Sequence, residues 1–213
     1  MPPEHTNYFG CLKAFLKLAP AKPGKCGLLE MAETNISGGM KSHELFAVMA
    51  PALASEILEY NFAHDKKLYR ATLEAVAQAR KVRAVFLERQ PRVERHASVI
   101  AALNRSALEL AADSLLRNWL LKAHSALLTD FLDALKITHE KGAVENLPPS
   151  VEDAALLAAV DGLLAKYPAE VVVLYLHAFS DMNETRWANL DAMLQNDRRL
   201  KLERPVSPST AQP

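Results

Sequence analysis

The chain has 213 residues, half of them hydrophobic, with 25 Lys+Arg against 25 Asp+Glu. That is enough for one domain with a sizeable core, and the zero net charge gives no global pull toward nucleic acid or acidic membranes. Of the 7 Gly and 2 Cys, all but Gly142 and Gly162 lie before Met40, which excludes from the main body a disulfide scaffold, a Cys-ligated metal centre, a Cys nucleophile and Gly-dependent phosphate loops.

Residues 1 to 39 combine Pro2, Pro3, Pro20 and Pro23 with five glycines and lack a long periodic segment. They are expected to be a disordered extension, or a short amphipathic anchor built on Leu12, Phe15, Leu16 and Leu18. Residues 40 to 202 are expected to form a single all-helical domain, and 203 to 213, with Pro205 and Pro208, a disordered tail. The body is rich in Ala and Leu and almost free of strand-type alternation, which favours helices throughout.

Stop and start signals divide the body. Ser42 is the expected cap of a first helix running to about Ala50. Pro51 suits the first turn of a second, ending near Ala63, with Leu53, Ile57, Leu58 and Phe62 inward. Asp65 is the expected cap of a third, from Lys66 to about Val82. Residues 84 to 92 read as an irregular basic connector containing Pro91, followed by a short helix from Val93 to Leu103. Ser106 opens a helix through Trp119, and Ser125 its continuation through Phe131 and Leu135, ending before Gly142. Leu147-Pro148-Pro149-Ser150 is a clear break. Ser150 with Asp153 is box-like, opening a helix from Val151 to Lys166. Tyr167-Pro168 ends it.

The β-branched run Val171-Val172-Val173 reads as helix rather than strand, because Pro168 suits a first turn and Glu170 the positive dipole end. Asp181 with Glu184 reads as the start of a last helix carrying Trp187, Leu190, Met193 and Leu194. The fold expected is all-α with about seven to nine helices. It is either an irregular multi-helix bundle or a short stack of helical hairpins. Positions 58 apart match in class for the second, Ile57 with Leu115 and Leu73 with Phe131 among them. The aromatic set Trp119, Phe131, Tyr175, Phe179 and Trp187 is spaced as core anchors.

Three constellations carry chemistry. His177 lies in the most apolar stretch, four residues before Asp181, where burial would lower its pKa and make it a base. The dipeptide His64-Asp65, with His43 before it and Asp130 after it, resembles the pattern of HD-type metal phosphohydrolases, which are all-helical. The resemblance implies those four residues as metal ligands. From 66 to 95, nine basic residues against three acids give a local net of +6, whereas residues 129 to 161 hold seven acids and two lysines. Within the basic segment, Arg80, Lys81, Arg83, Arg89 and Arg92 form a cationic stretch with Tyr69 and Phe86 nearby, suited to a phosphate backbone or an acidic partner.

The leading functional reading is a non-catalytic protein-interaction or scaffold domain, with a protein partner or a second copy of the chain as its ligand. The alternatives are the metal-dependent hydrolase and a nucleic-acid-associated protein. No cofactor motif is legible, and the longest apolar-rich run, Val171 to Ser180, is half the length of a membrane span of about 20 residues. A cytoplasmic location is the default. The hydrolase requires its four residues to converge, the nucleic-acid reading an exposed face of unpaired arginines, and the scaffold reading an exposed apolar patch.

Overall fold

The computed structural model describes residues 39–183 and 185–202, and among them ten α-helices are joined by short connectors. They are α1 (Ser42–Val48), α2 (Pro51–His64), α3 (Lys66–Ala79), α4 (Ala84–Glu88), α5 (Arg92–Leu103), α6 (Glu109–Ala123), α7 (Ser125–Ala134), α8 (Asp153–Lys166), α9 (Ala169–Met182) and α10 (Ala188–Asn196). Single 3-10 turns precede α6 at Ser106–Leu108 and follow α10 at Arg198–Leu200. The amphipathic set at 12–18, Cys11, Cys26, Glu184 and the tail lie outside the described residues.

The architecture is an all-α bundle, nine of whose helices have seven or more residues. Its helices pack with partners far away in sequence, not only with the next in line. Helix α6 is the axis of one half, with α1, α2 and α3 laid against it and α5 beside them. Trp119, Leu115 and Leu116 of α6 are fully enclosed there. In the other half α8 and α10 pack on α9, and α7 on α8. One hydrophobic cluster runs through both halves, from Leu45 to Leu200. Phe131 stands among Tyr175 and Phe179, with ring centroids at 5.6 and 5.3 Å. Phe179 meets Trp187 at 5.3 Å, so the aromatic set is core. Tilted and edge-on contacts of this kind add about 0.5–1.5 kcal/mol each beyond area burial.

Several boundaries differ from the sequence reading, each for a local reason. Ser42 does not cap α1. Its amide is taken by Glu109 and its residue is buried, while Glu44 reaches back to the Lys41 amide at 2.8 Å. Ser150 and Asp153 form no box, since α8 starts at Asp153 with Glu152 ahead of it, and Asp153 accepts from Asn189 instead. Asp181 does not open the last helix. It sits in the last turn of α9, which the apolar run carries through to Met182. Helix α3 stops at Ala79 because Lys81 takes a left-handed turn, φ 55°. The segment read as an irregular connector contains α4, held by one buried side chain, Leu87. Asp65 does cap α3, accepting from the Leu68 amide at 3.0 Å.

The ends of the body are tied to α9. A Cβ at Gly39 would meet the His177 carbonyl at 2.7 Å and the Ser180 side chain at 3.0 Å, so only glycine allows this approach. The two halves are joined again where the Ala50 amide donates to Glu170 at 2.9 Å.

Candidate functional site

Helices α3, α4 and α5 build the face that carries the free chemistry. The short α4 buries Leu87 and turns Val85 and Phe86 outward, at 40% and 61% exposure, with Val82 at 43% just before it and Val93 at 82% just after it. Of the seven large hydrophobic side chains exposed among the described residues, these four fall within twelve consecutive positions. Around them Arg80, Lys81, Arg83 and Arg89 are exposed, and none makes an ion pair or side-chain hydrogen bond among the described residues.

Arg92 differs from those four. It is paired with Glu59 of α2, Nε to Oε1 at 2.8 Å, and lies 5.0 Å from the Phe62 ring centroid. Arg95, which the sequence reading only counted, is more tightly held. Its Nε donates to the Tyr69 hydroxyl at 3.0 Å and its Nη1 to the Glu88 carbonyl at 3.0 Å, and it lies over both Phe62 and Tyr69. Such stacking orients a guanidinium without neutralising it. Next to it His96 is buried, with Nδ1 3.2 Å from Glu59. Burial first, then the charges of Arg92 and Arg95, hold its pKa below the usual histidine value.

Two shallow depressions open where α3 faces α5. One, of about 310 Å³, has a floor of Ala97, Ser98, Ala101 and Ala102, with Arg80 and Arg105 in its walls. The other, of about 300 Å³, is lined by Phe62, Lys66, Tyr69, Arg70, Leu73, Glu88 and Arg95. Arg105 escaped the sequence reading because it lies ten residues beyond the basic run. It stands beyond the end of α5 in extended backbone, where no helical period marks it.

The two histidine constellations have different surroundings. His177 is buried at 4% exposure, and both ring nitrogens are used within the fold. Nδ1 lies 3.2 Å from the Met40 amide and accepts from it, and Nε2 lies 3.3 Å from the Leu200 carbonyl and donates to it. Burial lowers its pKa, and the Leu200 bond offsets part of that. The ring bonds to these two backbone groups rather than to Asp181. Asp181 is half-buried, and its pKa is raised by burial first and then by the charge of Glu109.

His43, His64, Asp65 and Asp130 each have a separate partner. The His43 ring nitrogen Nδ1 meets Glu109, which also takes the amides of Ser42 and His43 at 3.0 Å. Burial works to raise the Glu109 pKa, but these bonds outweigh it and hold the group below the usual carboxylate range. Glu109 was missed in the sequence because no motif marks a carboxylate that anchors a helix 66 residues away. His64 stacks on Tyr60, centroids 4.3 Å apart, and bonds to its carbonyl. Asp65 caps α3 and has Lys122 at 3.6 Å. Asp130 is held by Lys166 and Tyr167, whose bonds lower its pKa, that of Lys166 most. Among the described residues no three His, Cys, Asp or Glu side chains gather as a metal ion requires.

No protein-family profile matches the chain, and no characterised protein or solved structure resembles it closely enough to count as a relative. Among the described residues no helix is long and apolar enough to cross a membrane. The structure thus brings Arg80 of the basic segment to the same depression as Arg105, and leaves the proposed metal ligands apart.

Proposed function

We propose that the domain is a non-catalytic protein-interaction module whose contact face is formed by α3, α4 and α5. One observation carries the reading. Phe86, Val82, Val85 and Val93 are exposed within the same short stretch of chain as Arg80, Lys81, Arg83 and Arg89, cations that make no ion pair or side-chain hydrogen bond among the described residues. Protein interfaces have this anatomy, an apolar and aromatic centre with a charged rim. Core side chains elsewhere in the bundle are closed in by their neighbours, so the exposed set is surplus to the fold. A cytoplasmic setting goes with this reading.

The test compares the full chain with Val85→Ser/Phe86→Ser in quantitative affinity purification from cells that express it. The reading expects protein species that are depleted with the variant while its thermal unfolding is unchanged. Identical protein profiles for the two chains would overturn it.

Nucleic-acid association is the second reading, favoured by the same free Arg80, Lys81, Arg83 and Arg89. It expects binding to a short RNA or duplex that falls steeply as salt rises and is indifferent to Phe86. Loss of binding on Phe86→Ser with a flat salt response excludes it.

A further inference from the structure

The seam between α3 and α5 has a composition that selects its occupant. Its two depressions are lined by five cationic side chains (Lys66, Arg70, Arg80, Arg95 and Arg105) and by one acidic residue, Glu88. Four of those cations, all but Arg95, make no side-chain bond or ion pair among the described residues. Unpaired like charges gathered along one seam repel one another and hold a field of one sign. A ligand of the opposite sign relieves that repulsion.

The shapes of the two depressions add to this. The floor beside Arg80 and Arg105 is Ala97, Ser98, Ala101 and Ala102, and no side chain there is longer than a hydroxymethyl group. A polypeptide backbone can approach such a floor closely. In the second depression Arg95 is already fixed by Tyr69 and the Glu88 carbonyl, and its Nη2 has no partner among the described residues. A pre-oriented guanidinium loses little rotamer freedom when it takes a carboxylate. Beside it Phe62, Tyr69 and Leu73 offer an apolar wall.

We propose that this seam takes an acidic segment of a protein partner, with carboxylates seated against Arg80–Arg105 and against Lys66, Arg70 and Arg95, and with an apolar side chain on the Phe62–Tyr69 wall. The proposal rests on the interaction-module reading and names the partner's chemistry. Charge complementarity sets the acidic character, and the α4 hydrophobics favour protein over nucleic acid. Arg80, at the end of α3, is two residues along the chain from the exposed Val82. A phosphate backbone would leave Val82, Val85, Phe86 and Val93 unburied, and nucleic-acid interfaces are more polar and more strongly basic than this one.

The experiment is a display selection of random peptides of about 16 residues on the immobilised full chain, long enough for several helical turns at both depressions. Selected peptides are then synthesised and titrated against the parent, Arg80→Glu/Arg105→Glu and Arg80→Gln/Arg105→Gln. Circular dichroism checks that each variant is folded. The expected result is a consensus rich in Asp and Glu with one or two aromatic or aliphatic positions. Its affinity should drop by at least about tenfold on charge reversal and less on neutralisation, because reversal adds repulsion to the lost attraction. Peptides without acidic enrichment that still lose binding on Phe86→Ser would overturn the proposed partner chemistry and leave the interaction module standing. Peptides indifferent to both sets of variants would overturn both. A short RNA or a vesicle of anionic lipid that binds the parent more tightly than the best peptide, through the same arginines, would assign the seam to phosphate and overturn the proposal.

Discussion

Helix α9 and the α4–α5 face use similar residues to opposite ends. In α9, nine residues from Val171 to Ser180 are buried, among them a tyrosine, a histidine and a serine. His177 is answered by Met40 and Leu200 and Ser180 by Asp191, while the buried Tyr175 hydroxyl has no hydrogen-bond partner among the described residues. In α4 one residue is buried, an aromatic ring faces outward, and the flanking Arg83 and Arg89 make no ion pair or side-chain hydrogen bond among the described residues. Rarity of a residue in its setting drew the sequence reading to His177. Incomplete bonding is the better guide, because a polar group used by the fold has nothing left to offer a ligand.

The sharpest contrast is between two phenylalanines. Phe131→Ala, at full burial, is expected to cost about 3–5 kcal/mol, and Phe86→Ala to stay within about 0.5 kcal/mol of the parent. Urea unfolding of both variants measures it, and equal losses would dissolve the distinction. Next come two histidines. His177→Ala leaves the Met40 amide and Leu200 carbonyl unpaired and is expected to cost about 2–3 kcal/mol, whereas exposed His64→Ala should cost less than about 0.5 kcal/mol. The same unfolding assay separates them.

The third prediction concerns pH. Burial holds the pKa of His96, His124 and His177 below the ordinary 6.5. Their neutral forms are thus favoured by folding, and their contribution is fully present above pH 6.5. As pH falls from 6.5 through each folded value the unfolded chain takes up more protons, and stability drops by up to about 1.4 kcal/mol per pH unit for each proton. Glu109, with its pKa held below the usual 4.5, adds a second loss at lower pH as it becomes protonated. Thermal unfolding between pH 7 and pH 5 should therefore show a falling midpoint, and His177→Gln should flatten the slope. A flat profile in the parent contradicts the burial account. The smallest effect is at a cap: Asp65→Ala should cost about 1 kcal/mol through loss of the Leu68 amide bond, and Asp65→Asn much less. Equal costs for the two substitutions would mean that the charge beside Lys122 matters more than the cap.

The helical class and most helix bodies could be read directly, because Ala/Leu-rich periodicity and the prolines at 51, 91 and 168 are local signals. Pro51 is the first residue of α2, and Pro91 and Pro168 stand immediately before α5 and α9. The errors fell where a distant partner overrides a local preference. Ser42 gives up its capping role because its amide meets Glu109, and Asp153 because Asn189 reaches it. Helix α4 was missed because five residues are too few to show a period and its stability comes from packing Leu87 on α3. Four of the five predicted binding cations make no ion pair or side-chain hydrogen bond among the described residues, while Arg92, also exposed, is paired with Glu59, a residue 33 positions earlier that no local pattern connects to it. Of the other seam cations, Lys66, Arg70 and Arg95 lie inside the basic run but are singled out only by the packing of α3 against α5, and Arg105 lies beyond the end of α5.

The most direct measurement is photo-crosslinking in cells with a benzophenone amino acid placed at position 86 in one chain and at position 157 in another, since Leu157 of α8 is also exposed, at 45%. The account predicts discrete protein adducts from position 86 that weaken when Arg80 and Arg105 are reversed, and none of those adducts from position 157. Adducts of the same partner from position 157 alone, with position 86 silent, would contradict it.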